Sequence, residues 1–388
     1  MFKKFSFAFL ILFVQLISAQ SYNQFKIIVL SESVPKDSRV YISGNHHLIG
    51  NWDPSSVQLS RHGKGEWIGV FALPDSFHLE YKLTLGSWDL EALDRVGSVP
   101  ANNVLDVTND TTVIINVSNW GSGSDQKAEG QITGTVEYYH NLKGEGIKSR
   151  DVIVWLPPGY DESPDQRYPV LYMHDGQNIV DPLTSSFGVD WQIDEAADTL
   201  IRKNYIEPII IVGIYNTPDR SSEYSENDTG YAYMEFVVSN LKPLIDRTYR
   251  TKSGREYTAT GGSSLAGLIS FMLAWYHSDI FSMAACISPA LKISKYDIVT
   301  PVENYTDVRK KIKIYLDVGS IGLEDSLAIG VDEMISALKS QGFKGGEDLY
   351  WYKASNAEHS ERFWVERIWR PLIFMFGNRS SIELLKEK

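Results

Sequence analysis

Apolar and polar residues follow two different patterns along the chain. In the first region, residues 22–119, short runs rich in β-branched and aromatic residues alternate with glycine, asparagine, aspartate and proline. Short strands separated by such turn residues predict an all-β sandwich of about 100 residues. The expected strands are Phe25–Leu30, Arg39–Ser43, Glu66–Leu73, Leu79–Leu85 and Thr112–Val117.

The second region, residues 133–377, alternates apolar runs with longer helical stretches. This alternation predicts an α/β domain with a mostly parallel sheet covered by helices on both faces. The expected strands are Val152–Leu156, Val170–His174, Ile209–Ile214, Tyr257–Gly261, Ile312–Val318 and Leu349–Lys353, and the expected helices include Tyr233–Ile245, Leu265–Tyr276 and Leu327–Gln341.

The amino terminus has the features of an export signal. Lys3 and Lys4 precede an almost wholly apolar run, and the small residue Ala19 stands before the expected cut at Gln20. The run is too short to span a bilayer comfortably, so we expect a soluble, secreted or periplasmic protein after cleavage. The expected divisions are a signal at 1–19, a β domain at 20–120, a flexible linker at 121–132, an α/β domain at 133–378 and a tail at 379–388.

Charge and composition exclude several classes of function. The 388 residues carry 37 Lys and Arg against 49 Asp and Glu, a formal net charge of −12, which disfavours binding to nucleic acid or anionic lipid. The single cysteine, Cys286, excludes an internal disulfide and a cysteine zinc site. His46 and His47 are adjacent and do not form a metal pattern, and Gly262–Gly267 lacks the lysine of a phosphate-binding loop. We therefore expect no metal and no cofactor.

Ser264 is the candidate nucleophile. A strand-like run ends at Gly261-Gly262 and a helical run begins at Leu265, so Ser264 lies on a strand-to-helix turn. Such a turn is strained and tightly packed, and it presents the serine hydroxyl at the carboxyl end of the sheet. Ala266 stands where the strict G-x-S-x-G pattern has glycine, but alanine is also small. The alternative is an ordinary Gly/Ser turn.

A serine nucleophile needs a base and an acid that orients it. Among eight histidines, His359 alone lies in a loop between a late strand and an aromatic-rich helix, the place of the base in α/β-hydrolases. The alternative is a surface histidine. The acid should follow the preceding strand, where Glu324 and Asp325 are available; we favour Glu324, then Asp325, then Asp317 within the strand.

Acyl transfer also requires two N–H groups that bind the oxyanion. One should be that of Leu265, directly after the candidate nucleophile, and the other should come from a loop after an early strand. The segment Met173–Asn178 ends such a strand, and Gly176 would let the backbone approach a substrate, so Gly176 or Gln177 is the expected donor. The alternative is a plain turn capped by Asp175.

The second region resembles the esterase family of α/β-hydrolases that includes esterase D, feruloyl, acetylxylan and enterochelin esterases. This resemblance implies Ser264 as nucleophile and His359 as base. The family often has Gly-Gly where this chain has Ala266-Gly267, and its acid loop varies in length. The matching segments are Tyr172–Asn178, Val212–Arg220 with Glu223-Tyr224, Leu241–Arg250, the Ser264 turn, Leu316–Gly319 and Glu358–Glu361.

The first region resembles the starch-binding domains of the family 20 carbohydrate-binding modules. The resemblance implies a sugar-binding platform formed by Trp52, Lys82 and Trp88, in which indole faces stack on a glucose ring and the ammonium group binds hydroxyls. The alternative is that Trp52 and Trp67 are core residues. The matching pieces are Val40–Asn45, Ile49–Pro54, Gly65–Trp67 and Glu80–Trp88.

Together these features predict an exported serine carboxylic-ester hydrolase that acts on carbohydrate-linked feruloyl or acetyl esters. The β domain would hold the enzyme on a polysaccharide and raise the local substrate concentration. A siderophore-type lactone is the competing substrate. A carbohydrate-binding protein with an inactive hydrolase domain is the competing class of function.

Overall fold

The computed structural model describes residues 21–386 apart from residues 37, 94–99, 101, 122–130 and 187. The predicted export signal and most of the predicted linker therefore lie outside the described residues. The chain divides into two compact units, Met1–Ser124 and Asp125–Lys388. Within the part of the chain that the structure describes, every helix is too short or too polar to cross a bilayer.

The first unit is a β-sandwich. In strand β1 the side chains of Phe25, Ile27 and Val29 alternate inward and are fully buried, as expected for a strand with one face on a core. One sheet has the order β4-β5-β1-β9, the other has the order β10-β7-β6-β2-β3, and β8 pairs with β6. The strands are β1 Tyr22–Leu30, β2 Tyr41–Gly44, β3 Val57–Gln58, β4 Ser60–Gly63, β5 Glu66–Pro74, β6 Phe77–Thr84, β7 Glu91–Leu93, β8 Asn103–Val107, β9 Thr111–Asn116 and β10 Asn119–Gly121.

The second unit is built on an eight-stranded mixed sheet in the order β11-β12-β14-β13-β15-β16-β19-β20. Along this order, the six strands β14, β13, β15, β16, β19 and β20 pair in parallel, whereas β12 pairs antiparallel with both β11 and β14. Strands β17 and β18 form a separate antiparallel pair. The strands are β11 Thr135–Leu142, β12 Arg150–Leu156, β13 Val170–His174, β14 Ile210–Ile214, β15 Thr258–Ser263, β16 Met283–Ile287, β17 Lys292–Ile293, β18 Tyr296–Asp297, β19 Lys313–Val318 and β20 Leu349–Lys353.

The prediction of a mostly parallel sheet is wrong at one edge, where the strands pair antiparallel. The run Val152–Leu156, expected among the parallel strands, is antiparallel to both of its neighbours. Strand β11, which the sequence pattern did not indicate, precedes it. Only residues 143–149 join β11 to β12, and a connection of that length allows antiparallel but not parallel pairing.

Helices cover both faces of this sheet. Along β12, Val152 and Val154 belong to one buried cluster, and Ile153 and Trp155 belong to the cluster on the other face. Helix α5 packs in the first cluster, and α1 and α9 pack in the second. The helices are α1 Ile193–Arg202, α2 Arg220–Glu223, α3 Asp228–Glu235, a π-helix Phe236–Leu241, α4 Lys242–Thr248, α5 Leu265–Tyr276, α6 Val299–Glu303, α7 Leu323–Ser340, α8 Glu361–Val365, α9 Trp369–Phe376 and α10 Arg379–Ile382.

Candidate active site

Ser264 lies between the end of β15 at Ser263 and the start of α5 at Leu265. Its backbone has φ 56° and ψ −123°, a conformation that a residue with a side chain rarely adopts and that stores strain. Ser264 itself is half-buried. The turn depends on small neighbours, because a Cβ atom added at Gly262 would lie 2.6 Å from the Cβ of Ala266. The strained, tightly packed turn that the sequence predicts is therefore present around Ser264.

His359 and Glu324 form a hydrogen-bonded pair. Nδ1 of His359 lies 2.8 Å from Oε1 of Glu324. The Glu324 side chain is fully buried, whereas 17% of the His359 side chain is exposed. The rings of His359 and Trp364 meet edge to face, with an interplanar angle of 87° and their centroids 5.0 Å apart. The imidazole is thus held on one side by a carboxylate and on another by an indole.

Glu324 lies in the first turn of α7, not in the loop where it was expected. Burial acts to raise the pKa of Glu324, but hydrogen bonds from His359, Ser288 and the Gly319 N–H lower it, and the net effect is a lowered pKa. The Gly319 N–H donates to Oε2 at 2.5 Å. Glu324 is therefore held as a carboxylate whose two oxygens both accept hydrogen bonds.

The other two acid candidates do not contact His359. Asp317 is fully buried in β19, where its Oδ2 accepts from Arg367 Nε at 3.0 Å and from the Tyr315 hydroxyl at 2.9 Å. Asp325 is exposed in the first turn of α7. Of the three, the structure brings Glu324 to His359.

The second candidate oxyanion segment is a tight turn after β13. Asp175 has φ 57°, and Gly176 begins a short 3-10 turn that contains Gln177. A Cβ atom at Gly176 would lie 2.2 Å from the carbonyl carbon of Gly213. The close approach of Gly176 to β14 therefore requires glycine at this position, and the approach of its backbone to a substrate stays a prediction. At the other segment, Leu265 is the first residue of α5, so its N–H has no acceptor within the helix.

An ion pair that the sequence analysis missed fixes this turn. Arg220 donates to both carboxylate oxygens of Asp175, from Nε at 2.8 Å and from Nη2 at 2.7 Å. The Asn216 side chain donates to the same carboxylate at 2.6 Å, and the Asn216 N–H donates to Oε1 of Gln177 at 3.2 Å. Burial acts to raise the pKa of Asp175, but the Arg220 charge together with the hydrogen bonds from Arg220 and Asn216 outweighs burial, and the pKa is lowered. In the sequence, the signal that could have indicated this ion pair was the segment Val212–Arg220, in which polar residues follow an apolar run.

His174 is a buried structural histidine. It is fully buried, with Nδ1 2.6 Å from the Tyr233 hydroxyl and Nε2 3.0 Å from the Thr260 hydroxyl. Burial lowers the pKa of His174 to about 3. The imidazole is therefore neutral in the folded protein at all but strongly acidic pH.

The depressed pKa of His174 predicts acid sensitivity. An unfolded histidine has a pKa of about 6.5, so the unfolded chain binds a proton that the folded chain does not. We expect the free energy of unfolding to be highest above about pH 6.5 and to fall as the pH is lowered towards 3. Denaturant unfolding of the wild type and of His174→Gln, measured between pH 7 and 5, tests this. Parallel pH dependences of the two proteins would contradict the assignment.

In the first unit, Trp52 and Trp88 lie side by side. Their ring centroids are 6.4 Å apart with an interplanar angle of 41°, and both residues are half-buried. Trp67 is a core residue with 4% exposure. Lys82 is buried, and its Nζ donates to Oε2 of Glu91 at 2.8 Å. The two indoles are thus accessible in part, whereas a contact of Lys82 with sugar hydroxyls stays a prediction.

Known proteins resemble both units. Among curated proteins, an endo-1,4-beta-xylanase/feruloyl esterase of Xylanibacter ruminicola is 26% identical over 201 residues, which are 51% of this chain and 26% of that protein. The ferri-bacillibactin esterase BesA of Bacillus subtilis is 24% identical over 186 residues, 41% of this chain and 61% of that protein. This chain thus spans less than two thirds of the length of either relative.

A solved structure shares the fold of the second unit. A ferulic acid esterase superposes with a TM-score of 0.53 at 20% identity, covering 62% of this chain and 98% of its own. The family described as Starch binding domain matches residues 24–108. The family described as Putative esterase matches residues 147–374, more than half of the 388 residues. The first unit is thus similar to starch-binding domains, and the chain belongs to this esterase family of hydrolases.

Proposed function

We propose that this protein is a serine esterase in which Ser264 attacks the ester carbonyl, His359 is the general base and Glu324 orients His359. The observation that carries the proposal is the 2.8 Å hydrogen bond between Nδ1 of His359 and the buried carboxylate of Glu324. This bond fixes the proton on Nδ1 and leaves Nε2 free to accept one. The chain order serine, acid, histidine is that of α/β-hydrolases.

The reaction proceeds through an acyl-enzyme. Nε2 of His359 takes the hydroxyl proton as Oγ of Ser264 bonds to the carbonyl carbon, and Glu324 stabilises the imidazolium that forms. The same proton then passes to the leaving alcohol as the ester bond breaks. His359 then takes a proton from water as the water oxygen bonds to the acyl carbon, and it returns this proton to Oγ of Ser264 as the acyl–serine bond breaks and the carboxylic acid leaves. The N–H of Leu265 and that of Gly176 or Gln177 would stabilise the oxyanion.

We propose carbohydrate-linked esters, of feruloyl or acetyl type, as the substrate class. The name of the relative from Xylanibacter ruminicola describes a xylanase and feruloyl esterase. The first unit, which is similar to starch-binding domains, would supply a place for the polysaccharide. Export through a cleaved signal at residues 1–19 would bring the enzyme to such a substrate. No nucleic-acid partner is proposed.

Product release from a panel of acetylated and feruloylated polysaccharides tests the substrate class. The panel is run beside simple nitrophenyl esters and with Ser264→Ala as the control. We expect serine-dependent release of an acyl group from at least one carbohydrate ester. Cleavage of simple esters alone would overturn the carbohydrate proposal, and no cleavage of any ester would favour the inactive binding protein.

A siderophore lactone is the second candidate substrate, favoured by the similarity to the ferri-bacillibactin esterase. Triscatecholate lactones are therefore included in the panel. Serine-dependent cleavage of the lactone, with no release of an acyl group from any carbohydrate ester, would assign siderophore lactones as the substrate class.

The two half-buried indoles of the first unit give a separate prediction. We expect Trp52→Ala together with Trp88→Ala to abolish retention on polysaccharide, because each ring loses the face that would stack on a sugar. Turnover of a small ester should be unchanged, since these residues are not part of the proposed triad. Retention is measured by co-sedimentation, with Trp369→Ala, a substitution in the second unit, as the control. Unaltered retention of the double variant would refute the platform.

A further inference from the structure

Two ion pairs leave the short helix α2 in different directions. Glu223, at its end, pairs with Arg150 of β12, whose Nη2 donates to Oε1 at 2.6 Å and whose Nη1 donates to Oε2 at 3.1 Å; both side chains are fully buried. Arg220, at its start, pairs with Asp175. Breaking a buried ion pair is strongly destabilising, so the Arg150–Glu223 pair fixes α2 on the sheet. Helix α2 in turn holds Arg220 against Asp175.

The contact between Arg220 and Asp175 is a two-point contact. Nε of the guanidinium donates to Oδ1 at 2.8 Å, and Nη2 donates to Oδ2 at 2.7 Å. The guanidinium carbon also lies over the Tyr224 ring, 5.2 Å from its centroid, and the Tyr224 hydroxyl accepts from the Asp175 N–H at 3.3 Å. The Asp175 carboxylate is buried. A contact of this kind fixes orientation as well as distance, which a lysine ammonium group cannot do.

The turn that Arg220 holds is strained at its first residue. Asp175 has φ 57°, and such a conformation in a residue with a side chain persists only where the surrounding contacts impose it. The Asn178 N–H donates to the Asp175 carbonyl at 2.9 Å and closes the turn. Among the described residues, no backbone acceptor is bonded to the N–H of Gly176 or of Gln177, the two candidate oxyanion donors. The conformation of Asp175 therefore sets the direction in which these two N–H groups point.

The charge of Arg220 also acts on the loop of the candidate base. Burial acts to lower the pKa of Arg220, but the charge of Asp175 and, more weakly, those of Tyr224 and Glu361 raise it. Glu361 is buried, is the first residue of α8 and stands two places after His359. The guanidinium therefore interacts with one carboxylate beside the candidate oxyanion turn and with a second carboxylate beside the histidine.

We propose that Arg220 is a positioning residue that holds the Asp175 turn in the conformation in which its N–H groups bind the oxyanion. The proposal rests on the esterase function proposed above. Arg220 acts through Asp175 and not on the reacting atoms. Its contribution is largest in the transition state, because the negative charge on the carbonyl oxygen develops only there. The loss of Arg220 should therefore lower kcat and leave KM nearly unchanged.

Arg220→Lys tests the proposal without removing the positive charge. The ammonium group stays beside Asp175 but cannot reproduce the two-point contact. We expect kcat for a nitrophenyl ester to fall by about 10- to 100-fold, less than the loss of about 10²- to 10³-fold that follows removal of a whole oxyanion donor. Arg202→Lys is the matched control, because Nε of Arg202 makes a 2.7 Å bond to Asp198 on the surface of α1. It should retain kcat.

A transition-state analogue separates positioning from a general loss of structure. A boronic acid that adds to Oγ of Ser264 places a tetrahedral oxygen where the oxyanion forms. We expect its inhibition constant to rise in Arg220→Lys by the same factor by which kcat/KM falls. A lower Tm with an unchanged kcat and an unchanged inhibition constant would show a purely structural role and overturn the proposal.

Asp175→Asn is a second variant that tests the same contact from the other side. Asparagine also tolerates the φ of 57°, so the turn can form without the carboxylate. If Arg220 acts through Asp175, the double variant should lose no more activity than the more impaired single variant. Losses that multiply in full would show that the two residues act independently and would overturn the proposal.

Hydrogen exchange of the turn amides examines the contact without any substrate. We expect the peptide that contains residues 174–178 to exchange faster in Arg220→Lys than in the wild type and in Arg202→Lys. Faster exchange in a protein whose wild type cleaves no ester would support the hold of Arg220 on the turn and refute the esterase function. Unchanged exchange and unchanged kcat in Arg220→Lys, with an active wild type, would overturn the positioning role alone.

Discussion

Replacing Ser264 by alanine should lower kcat for a simple ester by about 10⁴- to 10⁶-fold, the range seen when one member of a catalytic triad is changed. The reason is that the hydroxyl proposed to attack the carbonyl carbon is removed, and a water molecule in its place is not held covalently against that carbon. The residual rate would come from the oxyanion donors and from substrate binding alone. Steady-state hydrolysis of a nitrophenyl ester measures the change, and circular dichroism checks that the variant is folded.

Ser263→Ala is the matched control for this experiment. Ser263 is the neighbouring serine, but it is the last residue of β15 and only 3% exposed. We expect its kcat to stay within about tenfold of the wild type, since a buried strand hydroxyl cannot reach a substrate. A large loss in Ser263→Ala with a near-normal rate in Ser264→Ala would identify Ser263 as the nucleophile and refute the proposal.

The sequence was most informative where apolar pattern and turn chemistry agreed. Helix α5 has the predicted ends, Leu265 and Tyr276, because an apolar run begins directly after the Gly-rich turn. Helix α7 begins at Leu323, four residues before the predicted start at Leu327, because its first turn is polar. Acidic residues are favoured in a first turn by the helix dipole, so the absence of apolar periodicity there does not indicate a loop.

Features that depend on packing between distant segments could not be predicted. Glu324 and His359 are 35 residues apart, and they meet because the N–H groups of Ser320 and Ile321 donate to the Ala357 carbonyl, which joins the two loops. Sequence order could rank Glu324 above Asp325 but could not exclude either. The pairing of Arg220 with Asp175 arises in the same way. Strand β11 was missed because its side chains are half-buried or exposed, which gives no clear alternation.

Glu324→Gln gives the second large effect that we expect. The glutamine amide can present a donor to Nδ1 of His359, which forces the imidazole proton onto Nε2 and removes the group that accepts the Ser264 proton. In the serine proteases, an aspartate-to-asparagine change of this kind lowers kcat by about 10⁴-fold, and we expect a loss of that order here. KM should change little, because Glu324 is fully buried and does not reach substrate.

The same substitution should change how stability depends on pH. The pKa of Glu324 is lowered in the folded protein, below the value of about 4.3 for an unfolded glutamate. Its carboxylate therefore stabilises the fold above about pH 4.3, and this contribution is lost as the pH falls through the lowered folded value. The difference in unfolding free energy between wild type and Glu324→Gln should accordingly be largest at neutral pH and shrink below about pH 4. The contribution of His174 is common to both proteins and cancels in the difference.

Asp325→Asn separates the role of Glu324 from a general loss of negative charge at the start of α7. Asp325 is the next residue, lies in the same first turn and is exposed. Both substitutions remove one charge from the helix terminus, so both lose a similar interaction with the helix dipole, but only Glu324 contacts His359. We expect Asp325→Asn to retain kcat within a few-fold. Equal losses in the two variants would mean that the helix terminus, and not the carboxylate on Nδ1, supports the histidine.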